Sequence, residues 1–112
     1  MPTTVQYSAT IASSGTTSTA VNAKGALSGQ LSLPSNFRGA NVTFLTQVAE
    51  GGSFQAIEYD ETGAAISVPV AASKNCPIPP VVLQGALAFK VVSDVAQNSS
   101  DDCLIAIGLN SN

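Results

Sequence analysis

Apolar and polar positions alternate along most of this chain with a period of two, the spacing of a strand with one buried face. Asn41-Val48 carries the pattern most clearly. Val42, Phe44, Thr46 and Val48 fall on one side, and Thr43, Leu45 and Gln47 on the other. β-branched and aromatic side chains suit such a pleated, half-buried surface. Ala26-Leu33 puts Leu27, Leu31 and Leu33 on one face with Gly29, where a facing residue or a bulge comes close. Ala86-Ser93 aligns Leu87, Phe89 and Val91, and Ala64-Val70 aligns Ile66, Val68 and Val70. Cys103-Leu109 is apolar on both sides, which predicts a central strand.

Turn residues separate these runs. Glu50-Gly51-Gly52-Ser53 predicts a hairpin turn, with Phe54-Tyr59 as the returning strand. Asp60-Glu61-Thr62-Gly63 and Gln84-Gly85 are further turns, and Asp94-Asp102 is a polar loop. Pro69 lacks an amide donor, so its strand belongs at an edge or a bulge. The prolines of Asn75-Pro80 predict an extended connector that Val81-Val82-Leu83 continues. The Ser/Thr-rich residues 1–25 predict an N-terminal arm or edge strand: Val5 and Tyr7 alternate with polar neighbours, and Thr16-Val21 is a second short candidate. No window carries a helical stripe. Seven or eight short strands with Gly, Pro and Asn turns predict an all-β, antiparallel β-sandwich of jelly-roll type over residues 26–112.

Composition narrows the function. Charged residues are 10% of the 112, against roughly 25% in an ordinary soluble domain. Ser, Thr, Asn, Gln, Gly and Ala fill the gap, giving a surface that sheds its water at little cost. Such a surface is suited to lie against another protein. Net charge is −3, and the four cations Lys24, Arg38, Lys74 and Lys90 form no basic run. That argues against nucleic acid and anionic membranes as partners. No apolar run approaches the roughly twenty residues of a membrane span, and Met1-Pro2-Thr3-Thr4 does not open a secretory signal.

Candidate chemistry is sparse. The chain has no histidine, which removes the commonest general base and transition-metal ligand. Cys76 and Cys103 match no zinc pattern. They are expected as reduced, partly buried thiols, or as a disulfide if their Cα atoms lie within about 7 Å. Carboxylates gather in two loops, Glu58, Asp60 and Glu61 in one and Asp101 and Asp102 in the other. They could hold calcium if the loops met, yet turn chemistry alone explains them. We expect no catalysis, no metal and no cofactor. The contact candidates are Arg38, able to dock a partner carboxylate, Leu45 on the outer side of its strand, Lys90 beside Phe89, and Val5 and Tyr7 of the arm.

Leu33 to Asp94 resembles a pattern common in small virion proteins of tailed bacteriophages. The matching residues are Val42-Thr43-Phe44, Glu50-Gly51-Gly52-Ser53-Phe54, Tyr59-Asp60-Glu61-Thr62-Gly63, Ser67-Val68-Pro69-Val70 and Phe89-Lys90-Val91-Val92-Ser93. The likeness extends over roughly residues 26–109 and is nearest to the head decoration, or staple, proteins of epsilon15-type short-tailed phages. The cysteines and the proline-rich 77–80 segment depart from that pattern. The resemblance implies a jelly-roll subunit on the outer surface of the phage head. It would clamp neighbouring major capsid proteins, often as a homodimer, without catalysis. A carbohydrate-binding module or tail adhesin is the alternative, weakened because Tyr7 and Tyr59 are the only tyrosines and tryptophan is absent. A secreted hydrolase accessory domain is a third reading.

Overall fold

The computed structural model describes residues 3–59 and 62–111. Nine strands and one helical turn are found among them. The strands are β1 (Thr3–Ile11), β2 (Val21–Asn22), β3 (Ala26–Ser32), β4 (Asn41–Gln47), β5 (Gln55–Ala56), β6 (Val68–Pro69), β7 (Asn75–Ile78), β8 (Ala88–Ser93) and β9 (Cys103–Ser111), with α1 (Pro80–Leu83) between β7 and β8. They form two antiparallel sheets. Sheet A has the order β1-β9-β3-β7, and sheet B the order β2-β8-β4-β5, with β6 also pairing β4.

This order is a long hairpin rolled up. β1 pairs β9, β2 pairs β8, β3 pairs β7, and β4 pairs β5 and β6. Rolling then brings β9 against β3 and β8 against β4. The result is jelly-roll connectivity, so the expected fold class is the observed one. The core fills the space between the sheets. Ile11, Leu31, Ile105 and Ile107 come from sheet A and Val42, Phe44, Phe89 and Val91 from sheet B, all essentially inaccessible to solvent. Phe44 and Phe89 meet edge to face, with ring centroids 6.1 Å apart.

β9 is the central strand predicted from its two apolar sides, lying between β1 and β3. Gly29 meets the expected close neighbour: a Cβ there would sit 2.6 Å from Leu109 Cδ2 and 2.7 Å from the Gly108 carbonyl. Gly51 takes the positive φ that its hairpin turn requires, at 71°.

Several expectations are corrected. Asn75–Ile78 is a strand, not a connector, because Cys76 and Ile78 alternate inward and pair with β3. Val81-Val82-Leu83 does not extend it. Pro80 starts a helical turn where its missing amide would have had no partner, and Val82 and Leu83 pack into the core. Leu27 leaves the face of Leu31 and Leu33: the register with β9 slips between Ala26 and Ser28, and Leu27 is 60% exposed. Val48 lies past the end of β4 and is exposed. Of Phe54-Tyr59 and Ala64-Val70 only β5 and β6 are regular strand, joined by a Tyr59–Ala65 bridge. Thr16-Val21 contributes single bridges from Thr17 and Ser18 before β2 begins. Residues 3–25 supply one edge strand of each sheet and bury Ala9, Ile11, Val21 and Ala23.

Cys76 and Cys103 are both buried, and no disulfide joins them. Cys76 faces Leu31, Leu31 faces Ile107, and Cys103 lies four residues further along β9. That is roughly 9 Å across and 13 Å along the sheet by ordinary strand spacing, beyond the reach of a disulfide. Burial pushes the Cys103 thiol up.

Candidate interaction surface

The strands of sheet A contain no charged residue, and those of sheet B contain one, Lys90. The other charges of the described residues sit in loops. The outer face of sheet A therefore presents only neutral groups. Alternation along β1, β3 and β9 turns Thr4, Gln6, Ser28, Gln30, Gly108 and Asn110 to that side, where they line a hollow of about 640 Å³. Gly108 leaves its floor open, since a Cβ there would meet nothing within 4 Å. Asn110 ties the face together. Its Oδ1 accepts from Thr4 Oγ1 at 2.7 Å, and its Nδ2 donates to Ser28 Oγ at 3.2 Å, linking β1, β9 and β3. Leu104 adds an exposed apolar side chain at the far end of β9.

The contact candidates do not converge. Leu45 and Lys90 are opposed on β4 and β8, on the outer face of sheet B. Lys90 Nζ lies 4.5 Å from the centroid of the Phe54 ring, a cation–π contact that holds the ammonium against its own chain. Val5 and Tyr7 share the inward side of β1 with Ala9 and Ile11. Tyr7 packs on the core, while Val5 is left 40% exposed at the open end of the sandwich.

Arg38 is exposed at the opposite end, in the loop between β3 and β4. Its backbone is pinned by the buried side chain of Gln97. Gln97 Oε1 accepts from the Arg38 amide at 2.9 Å and Nε2 donates to the Arg38 carbonyl at 2.6 Å. The Gln97 amide in turn donates to the Gly15 carbonyl at 2.9 Å. Gln97 thus holds the loops after β3 and β8 together through its buried side chain, and ties in the loop after β1 through its backbone. Nothing in the local pattern around Gln97 singled it out.

The carboxylates serve loop geometry. Asp102 accepts from the Ser13 amide at 2.9 Å, and both Asp94 oxygens accept from the Ala40 amide at 3.1 and 3.3 Å. Asp60 and Glu61 lie outside the described residues. Among the described residues no three His, Cys, Asp or Glu side chains gather where they could hold a metal ion. Glu50 pairs with Lys24 at 2.6 Å, and that hydrogen bond and charge hold its carboxyl below the ordinary range. Tyr59, 61% exposed, edges a second hollow of about 470 Å³ with Thr43, Glu58 and Ser67.

No protein-family model and no curated protein sequence matches the chain. Solved structures do match. The SPBc2 prophage-derived protein YomS superposes with a TM-score of 0.63 over 99% of this chain and 96% of its own, at 11% identity. At that identity the likeness is one of fold. A subunit of the disulfide-linked pili of Bacillus endospore appendages gives a TM-score of 0.42 at 15% identity, covering 100% of this chain and 90% of its own. The Yersinia pseudotuberculosis-derived mitogen gives 0.43 at 16%, covering 100% and 88%.

Proposed function

We propose that this chain is a structural protein of a bacteriophage virion. It decorates the outside of the head, laying the outer face of sheet A against major capsid proteins and stabilising contacts between them. The observation that carries the reading is the absence of charge from all four strands of sheet A. A face of amides, hydroxyls and small side chains can be covered by protein without stripping water from ions. Each contact can be modest, because a subunit that touches two capsid proteins gains effective concentration for the second. A jelly roll shared with a prophage-derived protein supports the phage setting at the level of fold. The protein acts by binding and self-association, without catalysis, metal or cofactor, and without nucleic acid or membrane as partner.

The test is binding of purified protein to heads that lack it, read with the heat stability of those heads. Gly108→Val raises a branched side chain into the floor of the hollow from a position with free space above it. The variant should fold as the wild type does and lose more than about tenfold in head affinity, the effect of a central contact. Saturation of heads by Gly108→Val at wild-type concentrations defeats the proposed face. Heads that neither bind nor gain stability defeat the function itself.

The alternative, a carbohydrate-binding module or tail adhesin, draws on one observation: Tyr59 stands exposed beside Glu58 at the second hollow, an aromatic platform next to a hydrogen-bond acceptor. Glycan binding abolished by Tyr59→Ala would favour it.

A further inference from the structure

The two sheets leave four edges: β1 and β7 in sheet A, β2 and the β5/β6 side in sheet B. Three are blunted. β2 has only two residues. On β7, Leu33 N–H donates to the Lys74 carbonyl at 3.0 Å, so Lys74, Cys76 and Ile78 turn their backbone toward β3 and Pro77 turns outward. On β6, Val70 N–H donates to the Ala40 carbonyl at 2.9 Å, which by the same parity turns Pro69 outward. A proline facing outward offers no donor to an incoming strand.

β1 has no such guard. It is nine residues long, carries no charge and contains no proline. Thr10 bonds away from β9: its amide donates to Thr19 Oγ1 at 3.1 Å and its carbonyl accepts from the Thr19 amide at 3.0 Å. The same parity sends the backbone groups of Thr4, Gln6 and Ser8 outward, where no strand is hydrogen-bonded to them in the sheet.

We infer that this edge pairs with the same edge of a second copy, antiparallel about a two-fold axis through Gln6, joining two sheets A into one. The inference deepens the self-association in the proposed function. In this register Gln6 opposes Gln6 of the other copy and Thr4 opposes Ser8, so every free residue of the edge forms a hydrogen-bonded pair, about six backbone bonds in all. A two-fold through Tyr7 would instead ask Thr10 to pair, and Thr10 is already bonded to Thr19. The Gln6 register also places Val5 of each copy against Tyr7 of the other, on the inward side. That covers the exposed part of Val5 with a β-branched–aromatic pair. No like charges meet. Pairing β1 with a foreign β7 would build an open filament, and Pro77 obstructs it, whereas β1 with β1 closes.

Sedimentation of the purified full chain, without heads, tests this. The expected mass is twice 11.3 kDa for the wild type and 11.3 kDa for Gln6→Lys. The substitution sets two ammonium groups opposite each other on the axis and should raise the dissociation constant more than about tenfold. Circular dichroism of the variant should match the wild type. Gln6→Cys should form an intermolecular disulfide on mild oxidation, and Gln30→Cys on β3 should not. A wild type of single-chain mass, a Gln6→Lys protein that keeps the double mass, or a dimer in which Gln6→Cys does not cross-link overturns the inference. Heads take no part in this measurement, so its failure leaves the head-surface reading standing, and the converse also holds.

Discussion

Sheet A and sheet B enclose the same core but are built by different means. Sheet A has two nine-residue strands paired along their whole length, and its register is interrupted once, at Leu27. Sheet B is made largely of fragments: β2, β5 and β6 are two residues each, and only β4 and β8 are long. What sheet B lacks in ladder it regains in aromatic packing, since Phe44 and Phe89 both belong to it. The difference extends to the surface. Sheet B carries an outward proline and edge strands of only two residues, the usual devices against unwanted strand pairing. Sheet A has a guard only on the β7 side. Blunting three edges and leaving the longest one bare is the arrangement that the proposed β1 pairing requires.

The largest effect should come from the aromatic pair. Phe89→Ala should cost about 3–5 kcal/mol in urea unfolding, whereas Ile107→Val in sheet A should cost about 0.5–1.5. A loss below about 3 kcal/mol at Phe89 would break the claim that sheet B leans on its aromatic pair. Next come the two glycines on facing strands of sheet A. Gly29→Val forces a side chain into Leu109 and the Gly108 backbone and should cost about 1–3 kcal/mol. Gly108→Val enters open space and should stay within about 0.5 kcal/mol of the wild type. Gln97→Ala strands the Arg38 amide and carbonyl and should cost about 1–3 kcal/mol, with faster amide exchange at Arg38.

The smallest effect belongs to Lys24 and Glu50, an exposed pair screened by solvent. Because the folded Glu50 carboxyl is lowered, its contribution is present above the unfolded carboxylate value and disappears as pH falls through the lowered one. Lys24→Ala should return the Glu50 titration, followed by NMR, toward the ordinary range.

Much of this fold was legible because alternation is a local signal. β4, β8 and the central place of β9 follow from which side chains repeat every second residue. β7 was not, since its prolines argue against a ladder until the partner is known to lie on the side away from Pro77. Leu27 misled for a related reason. A bulge reverses the parity on which the pattern depends, and only the register with β9 reveals it. The candidate surface was legible in pieces. Thr4, Gln6 and Ser8, then Ser28, Gln30 and Ser32, repeat as neutral polar residues, but their union needs the order β1-β9-β3, which joins the two ends of the chain. Arg38, Leu45, Lys90, Val5 and Tyr7 were chosen one residue at a time, and the fold distributes them over separate faces.

The rolled hairpin also dictates a timetable. β9 separates β1 from β3, yet it follows both of them, and every other described strand, along the chain. Until it arrives, the earlier strands of that layer have no middle, and closing the loop between the outermost segments is the slow kind of step. A nascent chain that stalls before Cys103 would display a half-built layer with two bare flanks.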